Sequence, residues 1–119
     1  MLNLDTHIFL HALSDALAPA EQEKLAAESW SISAIALWEI AKLAQLDRIE
    51  LNLDSPRLLV ALERVHIWPV DLEVCREIAR LDFRSDPADE IIAATSIVHA
   101  VPLVPRARAI RRSKRVPLA

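Results

Sequence analysis

Apolar and polar positions along the chain follow two different periods. Short apolar runs at Leu2-Asn3-Leu4, Trp30-Ser31-Ile32-Ser33, Trp68-Pro69-Val70 and Val101-Pro102-Leu103-Val104 read as strands of a few residues each. Between them the apolar positions take helical spacing. Ile8, Phe9, Ala12, Leu13, Ala16 and Leu17 predict a helix over 6–17, and Pro19 opens a second over 20–28. Ser33 is placed to cap a helix over 34–46, Asp54 or Ser55 one that starts at Pro56, and Asp71 one over 72–81. A further helix follows Ser85-Asp86-Pro87, carrying Ile91, Ile92, Ala93, Ala94, Ile97 and Val98. A short basic helix over 106–112 and a candidate final strand at Arg115-Val116-Pro117 complete the chain. Short apolar strands alternating with helices predict an α/β fold, a parallel sheet covered on both faces, in a three-layer α/β/α arrangement. With no internal repeat or linker, the 119 residues are expected to form one domain over 1–119.

Composition narrows the function classes. Apolar residues make up 53% of the chain, yet no run approaches a membrane span, and the first residues lack the charge and apolar stretch of a leader. A cytoplasmic protein with no membrane contact is expected. One cysteine, Cys75, excludes a disulfide framework and a cysteine zinc site; its apolar neighbours predict burial. Glycine is absent, which excludes a P-loop and a dinucleotide fingerprint, both of which need glycine where the backbone approaches phosphate. The formal charge of −3 is uneven, because residues 101–119 hold six of the 14 basic side chains and no acidic one. An acidic body with a basic end suits a metal-dependent enzyme acting on a polyanion, and equally a solvated helix face.

The candidate chemistry lies in the acids. Asp86, Asp89 and Glu90 crowd the start of an apolar helix. One of them is accounted for as a cap that complements the positive helix end, with Asp86 placed to do it; the others call for a cation or a cleft. Asp5 ends the first strand, where the ligand crevice of an open α/β sheet lies, and is also placed to cap the next helix. Glu39 interrupts the apolar run Ile35 to Ala41, where a charge is costly unless paired, metal-bound or exposed; Lys42 is the nearest pairing partner. His7 and His11 stand one turn apart without a nearby acidic partner and are read as packing or surface residues. If Asp5, Glu39 and Asp89 meet, an oxygen-only site suits Mg²⁺ or Mn²⁺ rather than zinc, and supports metal-assisted attack of water on a phosphodiester.

The segments Leu4-Asp5-Thr6-His7, Ser31-Ile32-Ser33 with Leu37-Trp38-Glu39-Ile40, Asp86-Pro87-Ala88-Asp89 with Ile91-Ile92-Ala93-Ala94-Thr95, and Leu103-Val104 before a basic helix together resemble a PIN domain, most closely the VapC-type toxins of bacterial toxin–antitoxin pairs. The resemblance implies Mg²⁺- or Mn²⁺-dependent cleavage of RNA, a homodimer, and inhibition by a cognate antitoxin protein. It places the metal and catalytic acids at Asp5, Glu39 and Asp89, with Asp86 as an accessory carboxylate. Arg106, Arg108, Arg111 and Arg112 are the candidate contacts to RNA phosphate. Three positions depart from the pattern. Where relatives carry Thr and Asp after the fourth strand, this chain has Pro105 and Ala107, and Glu90 follows the third acid in place of an arginine. An attenuated or inactive PIN-fold module that binds RNA or an antitoxin is the alternative expectation.

Overall fold

A computed structural model describes residues 1–119. The chain runs β1 (Leu2–Leu4), α1 (Thr6–Leu13), α2 (Pro19–Ala26), β2 (Trp30–Ser33), α3 (Ala34–Gln45), α4 (Pro56–Leu62), β3 (His66–Trp68), α5 (Leu72–Ile78), α6 (Pro87–His99), β4 (Leu103–Val104) and α7 (Arg108–Arg111). All four strands are parallel, in the order β3-β2-β1-β4. The register sets Asn3 opposite both Ser31 and Leu103, and Ser33 opposite Trp68.

Period-two alternation in β1 sorts the two faces of the sheet. Leu2 and Leu4 join Ile8, Phe9, Ile32, Ile40 and Leu58 in the larger core cluster. Asn3 serves the other layer, where its amide donates to Ile92 O (3.3 Å) and Ser96 Oγ (2.9 Å) of α6. Leu103 meets Ile92, Ala93, Ile110 and Val116 in a second cluster. A buried polar residue in a central strand is tolerated here because it bonds across the layers.

The helices begin where their caps direct. Ser33 Oγ accepts from Ile35 N (3.2 Å), and Asp71 Oδ1 from Val74 N (3.1 Å). Several expectations need correction. The first helix stops at Leu13 rather than Leu17, because Asp15 turns to φ 55°. The third strand lies at His66–Trp68, two residues earlier than predicted, since Pro69 has no N–H for a ladder. The expected final strand reduces to a single parallel bridge, Leu103 with Leu118. Cys75 is exposed, because Val74 and Glu77 are the residues that α5 buries. Glu77 is held by Arg115 and, at 3.4 Å, by Arg80, so part of the basic C-terminal run is structural. No helix is long and apolar enough to cross a membrane.

Without glycine, the C-terminus of α6 is closed by an alanine. Ala100 sits in the left-handed region (φ 53°, ψ 41°), with Ala100 N on Ile97 O (3.3 Å) and Val101 N on Ser96 O (3.1 Å). This pair of bonds is a Schellman closure, for which glycine carries no Cβ penalty. Ala100→Gly is therefore expected to stabilise the fold by about 0.5 to 1 kcal/mol, the relieved strain exceeding the entropy added to the unfolded chain. A thermal melt that rises by a few degrees meets this expectation, and an unchanged or lower midpoint contradicts it.

Candidate metal centre

The strand order creates the site. From β1 the chain moves to β2 and then β3 on one side, whereas β4 returns to the other side of β1. Chains leaving β1 and β4 therefore diverge, and a crevice opens outside their carboxyl ends. Asp5 lies at that point, 2% exposed. Its backbone N donates to Val104 O (3.1 Å), its Oδ1 accepts from His7 N (3.0 Å), and its Oδ2 accepts from Arg106 N (3.3 Å). The two readings of Asp5, helix cap and crevice acid, are both satisfied by one side chain.

Glu39, half-buried on the second turn of α3, accepts a short hydrogen bond from the Thr6 hydroxyl. Lys42 does not pair with it, since the Lys42 ammonium donates to Gln45 Oε1 (2.8 Å). Asp89, in the first turn of α6, accepts from Ser85 Oγ (2.8 Å) on Oδ2. Each carboxylate thus has one oxygen oriented by a neighbouring donor, while Glu39 Oε2 and Asp89 Oδ1 receive no such bond.

The three acids act on one another. Burial is the main reason that the Asp5 carboxyl titrates above its ordinary value; the N–H groups of His7 and Arg106 oppose the shift, and the negative charge of Asp89 reinforces it. Glu39 is raised chiefly by burial, opposed by the Thr6 hydroxyl, with Asp5 and Asp89 adding repulsion. Acids from three separate segments of the sequence therefore lie within electrostatic reach of one another.

Asp86 departs from expectation. It is exposed at the N-cap position of α6 and makes no capping bond; the Glu90 carboxylate instead reaches back to Ser85 N (3.1 Å). The basic helix is a single turn, Arg108–Arg111. Arg106 precedes it and directs its guanidinium to His11 Nδ1 (2.8 Å), while Arg111 reaches Pro105 O (3.4 Å). Arg108 and Arg112 are exposed. Ala107 is half-buried and packs against the second core cluster. Thr6 and Ser85, which orient Glu39 and Asp89, carried no signal beyond lying beside the acids.

A family model described as PIN domain matches residues 3–113. The chain belongs to the PIN domain family. No curated protein matches it. Among solved structures, a chain of VapBC2 from Rickettsia felis bound to a promoter DNA fragment shares the fold with a TM-score of 0.77 at 18% identity, covering 100% of this chain and 98% of that one. A toxin–antitoxin complex from Klebsiella pneumoniae gives 0.74 at 20% identity, with 100% and 97% covered. FitAcB from Neisseria gonorrhoeae gives 0.62 at 22% identity, with 92% and 90% covered. At these identities the solved structures establish a common PIN fold.

The donor set of this PIN domain suits a hard cation: three carboxylates, each already oriented by an outer hydrogen bond and two of them disfavoured as bare anions. No group of three acidic, histidine or cysteine side chains is drawn close enough to hold an ion as the structure stands. The fit is thus one of chemistry and approach, and closure onto a cation would have to draw the carboxylates inward.

Raised carboxyl values carry a defined pH dependence. An acid that holds its proton more tightly when folded makes the fold lose stability as pH rises from the unfolded value, 4.5 for Glu39, through the higher folded value. Glu39→Gln keeps the acceptor for Thr6 and removes the charge. The metal-free variant is therefore expected to melt above the wild type at pH 7, with the difference shrinking as pH falls below 4.5. Equal melting temperatures at pH 7 would remove the argument that burial, with repulsion added, destabilises the Glu39 anion.

Proposed function

We propose that this PIN domain is a ribonuclease of the VapC toxin type that depends on Mg²⁺ or Mn²⁺ and hydrolyses RNA phosphodiesters. The observation that carries the reading is the hydrogen-bonded anchoring of the three acids, Asp5 by His7 N and Arg106 N, Glu39 by Thr6 and Asp89 by Ser85, with the raised carboxyl values of Asp5 and Glu39 in support. Asp5, Glu39 and Asp89 would hold the ion. When bound, Mg²⁺ or Mn²⁺ supplies Lewis-acid polarisation of a phosphodiester oxygen and a more acidic water. Asp5 is the rigid member, fixed by two backbone N–H groups and shielded from solvent. Thr6 and Ser85 fix the rotamers of Glu39 and Asp89, so that less motion is required when the site closes. Arg106, Arg108, Arg111 and Arg112 lie beyond β4 on the side of the crevice where Arg106 N meets Asp5, and are suited to positioning the RNA backbone without selecting its sequence. Asp86, exposed at the rim, is an accessory carboxylate in this reading. By analogy with the complexes of similar fold, the partner is a cognate antitoxin protein; a second copy of the chain is what the family resemblance adds.

A second reading has its own observation. The position that relatives fill with a further acid is Ala107, packed against apolar neighbours, and the remaining acids do not close into a coordination group. That combination supports an attenuated PIN module that binds RNA or an antitoxin with slow or no turnover.

RNA cleavage by the purified chain is expected to vanish with EDTA and in Asp5→Asn and Glu39→Gln, the latter of which preserves the hydrogen bonding of the fold. Cleavage that survives all three assigns the activity elsewhere. Calorimetric titration with Mn²⁺ is expected to show binding that Asp89→Asn abolishes. Thr6→Val should weaken it by roughly 10- to 100-fold through loss of an outer-sphere bond. No Mn²⁺ binding, together with strong cleavage gained in the Pro105→Thr, Ala107→Asp double variant, would establish the attenuated reading.

A further inference from the structure

Ser85, in the segment between α5 and α6, holds two carboxylates at once. Its amide N donates to Glu90 Oε2 (3.1 Å), and its hydroxyl donates to Asp89 Oδ2 (2.8 Å). Both acids lie in the first turn of α6, at the third and fourth helical positions after the cap residue Asp86. In a capping box the acid at the third position folds back onto the N–H of the cap residue itself. Here that reach-back is moved one place along. Glu90 makes it, onto the residue before the cap, and Asp89 is left with one oxygen on a hydroxyl and the other free of any donor from the chain.

This shift has a consequence for the crevice. Successive residues of a helix point about 100° apart, so Asp89 and Glu90 do not serve the same side. The charge of Asp89 acts on Asp5 and Glu39, whereas Glu90 is committed to Ser85. Ser85 is half-buried and belongs to no strand or helix, so its hydroxyl can orient Asp89 only when its own backbone is held. The start of the segment is fixed: Asp82 accepts from Ser113 Oγ (2.5 Å) and Lys114 N (2.8 Å), and Phe83 packs against the second core cluster. Nearer α6, the only backbone N–H of residues 84–86 that finds a partner within the chain is that of Ser85, and the partner is Glu90. We infer that Glu90 is a positioning residue of the metal centre: through Ser85 it fixes the rotamer of the Asp89 carboxylate, and it does not itself hold the ion. The inference rests on the metal-centre reading and gives a role to an acid that would otherwise count as a fourth ligand or as a helix-end charge. These roles make different demands. A ligand gives its oxygen to the ion, a helix-end charge needs only its sign, and a positioning residue needs an acceptor for Ser85 N. Glutamine keeps the acceptor and loses the charge.

Mn²⁺ titration calorimetry separates the three roles, applied to wild type, Glu90→Gln, Glu90→Ala, Ser85→Ala and the Glu90→Ala, Ser85→Ala double variant. Amide exchange of Ser85 and the carboxyl carbon resonance of Asp89 are followed by NMR in the metal-free proteins. Glu90→Ala is expected to weaken Mn²⁺ binding about tenfold, the low end for loss of an outer partner of a metal ligand, and Glu90→Gln to keep it within about twofold. Ser85 exchange should quicken and the Asp89 resonance should move in Glu90→Ala, and neither should change in Glu90→Gln. In the Ser85→Ala background, Glu90→Ala should cost nothing further, because the two residues act as one unit. Equal losses of Mn²⁺ affinity in Glu90→Gln and Glu90→Ala overturn the inference and make Glu90 a ligand or a helix-end charge. Unaltered binding in Glu90→Ala, or additive losses in the double variant, overturn it as well and leave the metal centre intact. A wild type that binds no Mn²⁺ removes the metal centre, and the Asp89 resonance then decides the relay: moved by Glu90→Ala but not by Glu90→Gln, it stands; unmoved by both, it falls.

Discussion

Asp5 is the knot on which the rest of the molecule depends. Through its main chain it ends β1, bonds the exit of β4 and begins the hydrogen-bond ladder of α1, with Phe9 N on Asp5 O at 3.0 Å. Its side chain caps α1 through His7 N and binds the chain that leaves β4 through Arg106 N. A carboxylate can do both because it has two acceptor oxygens and each of these bonds is charge-assisted. The opposing effect is burial, which raises its pKa in spite of the two N–H donors. The fold tolerates an anion at its centre by surrounding it with backbone dipoles, and the same arrangement keeps it shielded at the carboxyl end of β1.

The other two acids extend this tension. Glu39 and Asp89 come from helices in different layers, joined through contacts between α3 and α6, and each is steadied by a hydroxyl rather than by a positive charge. Lys42, the only cation on α3, is occupied with Gln45, and the guanidinium of Arg106 with His11. No ion pair neutralises Asp5, Glu39 or Asp89, so the repulsion among them is kept in the folded state. By contrast, the buried Glu77 is paired with both Arg115 and Arg80. Buried acids are thus handled in two ways in one small chain: the one outside the crevice is paired, and those at the crevice are left to interact with one another.

Local pattern was enough to expose most of the architecture. The caps at Ser33 and Asp71, the proline starts of α2, α4 and α6, and the parallel sheet all follow from residue type and short-range spacing, because a cap or a proline acts on the two or three residues beside it. Asp5, Glu39 and Asp89 also stood out as candidates, Asp5 at a strand end, Glu39 inside an apolar run and Asp89 in the crowded first turn of a helix. Errors fell where the deciding contact was distant or the competition close. Cys75 looks buried among apolar neighbours until the packing of α5 selects Val74 and Glu77 instead. Asp86 looks like the cap of α6 and does occupy the N-cap position, but its exposed side chain makes no capping bond.

The sequence by itself determined which segments become strands and helices, and that the chain carries three carboxylates at element ends or inside an apolar run, since these depend on interactions within a turn or two. Only the tertiary structure decided that they come within electrostatic reach of one another. Strand order, with β4 returning to the far side of β1, brings Arg106 N to Asp5 across 101 positions of chain and lays α6 where the charge of Asp89 acts on both Asp5 and Glu39. Proximity of that kind is set by the packing of whole layers, and no local period in the sequence records it.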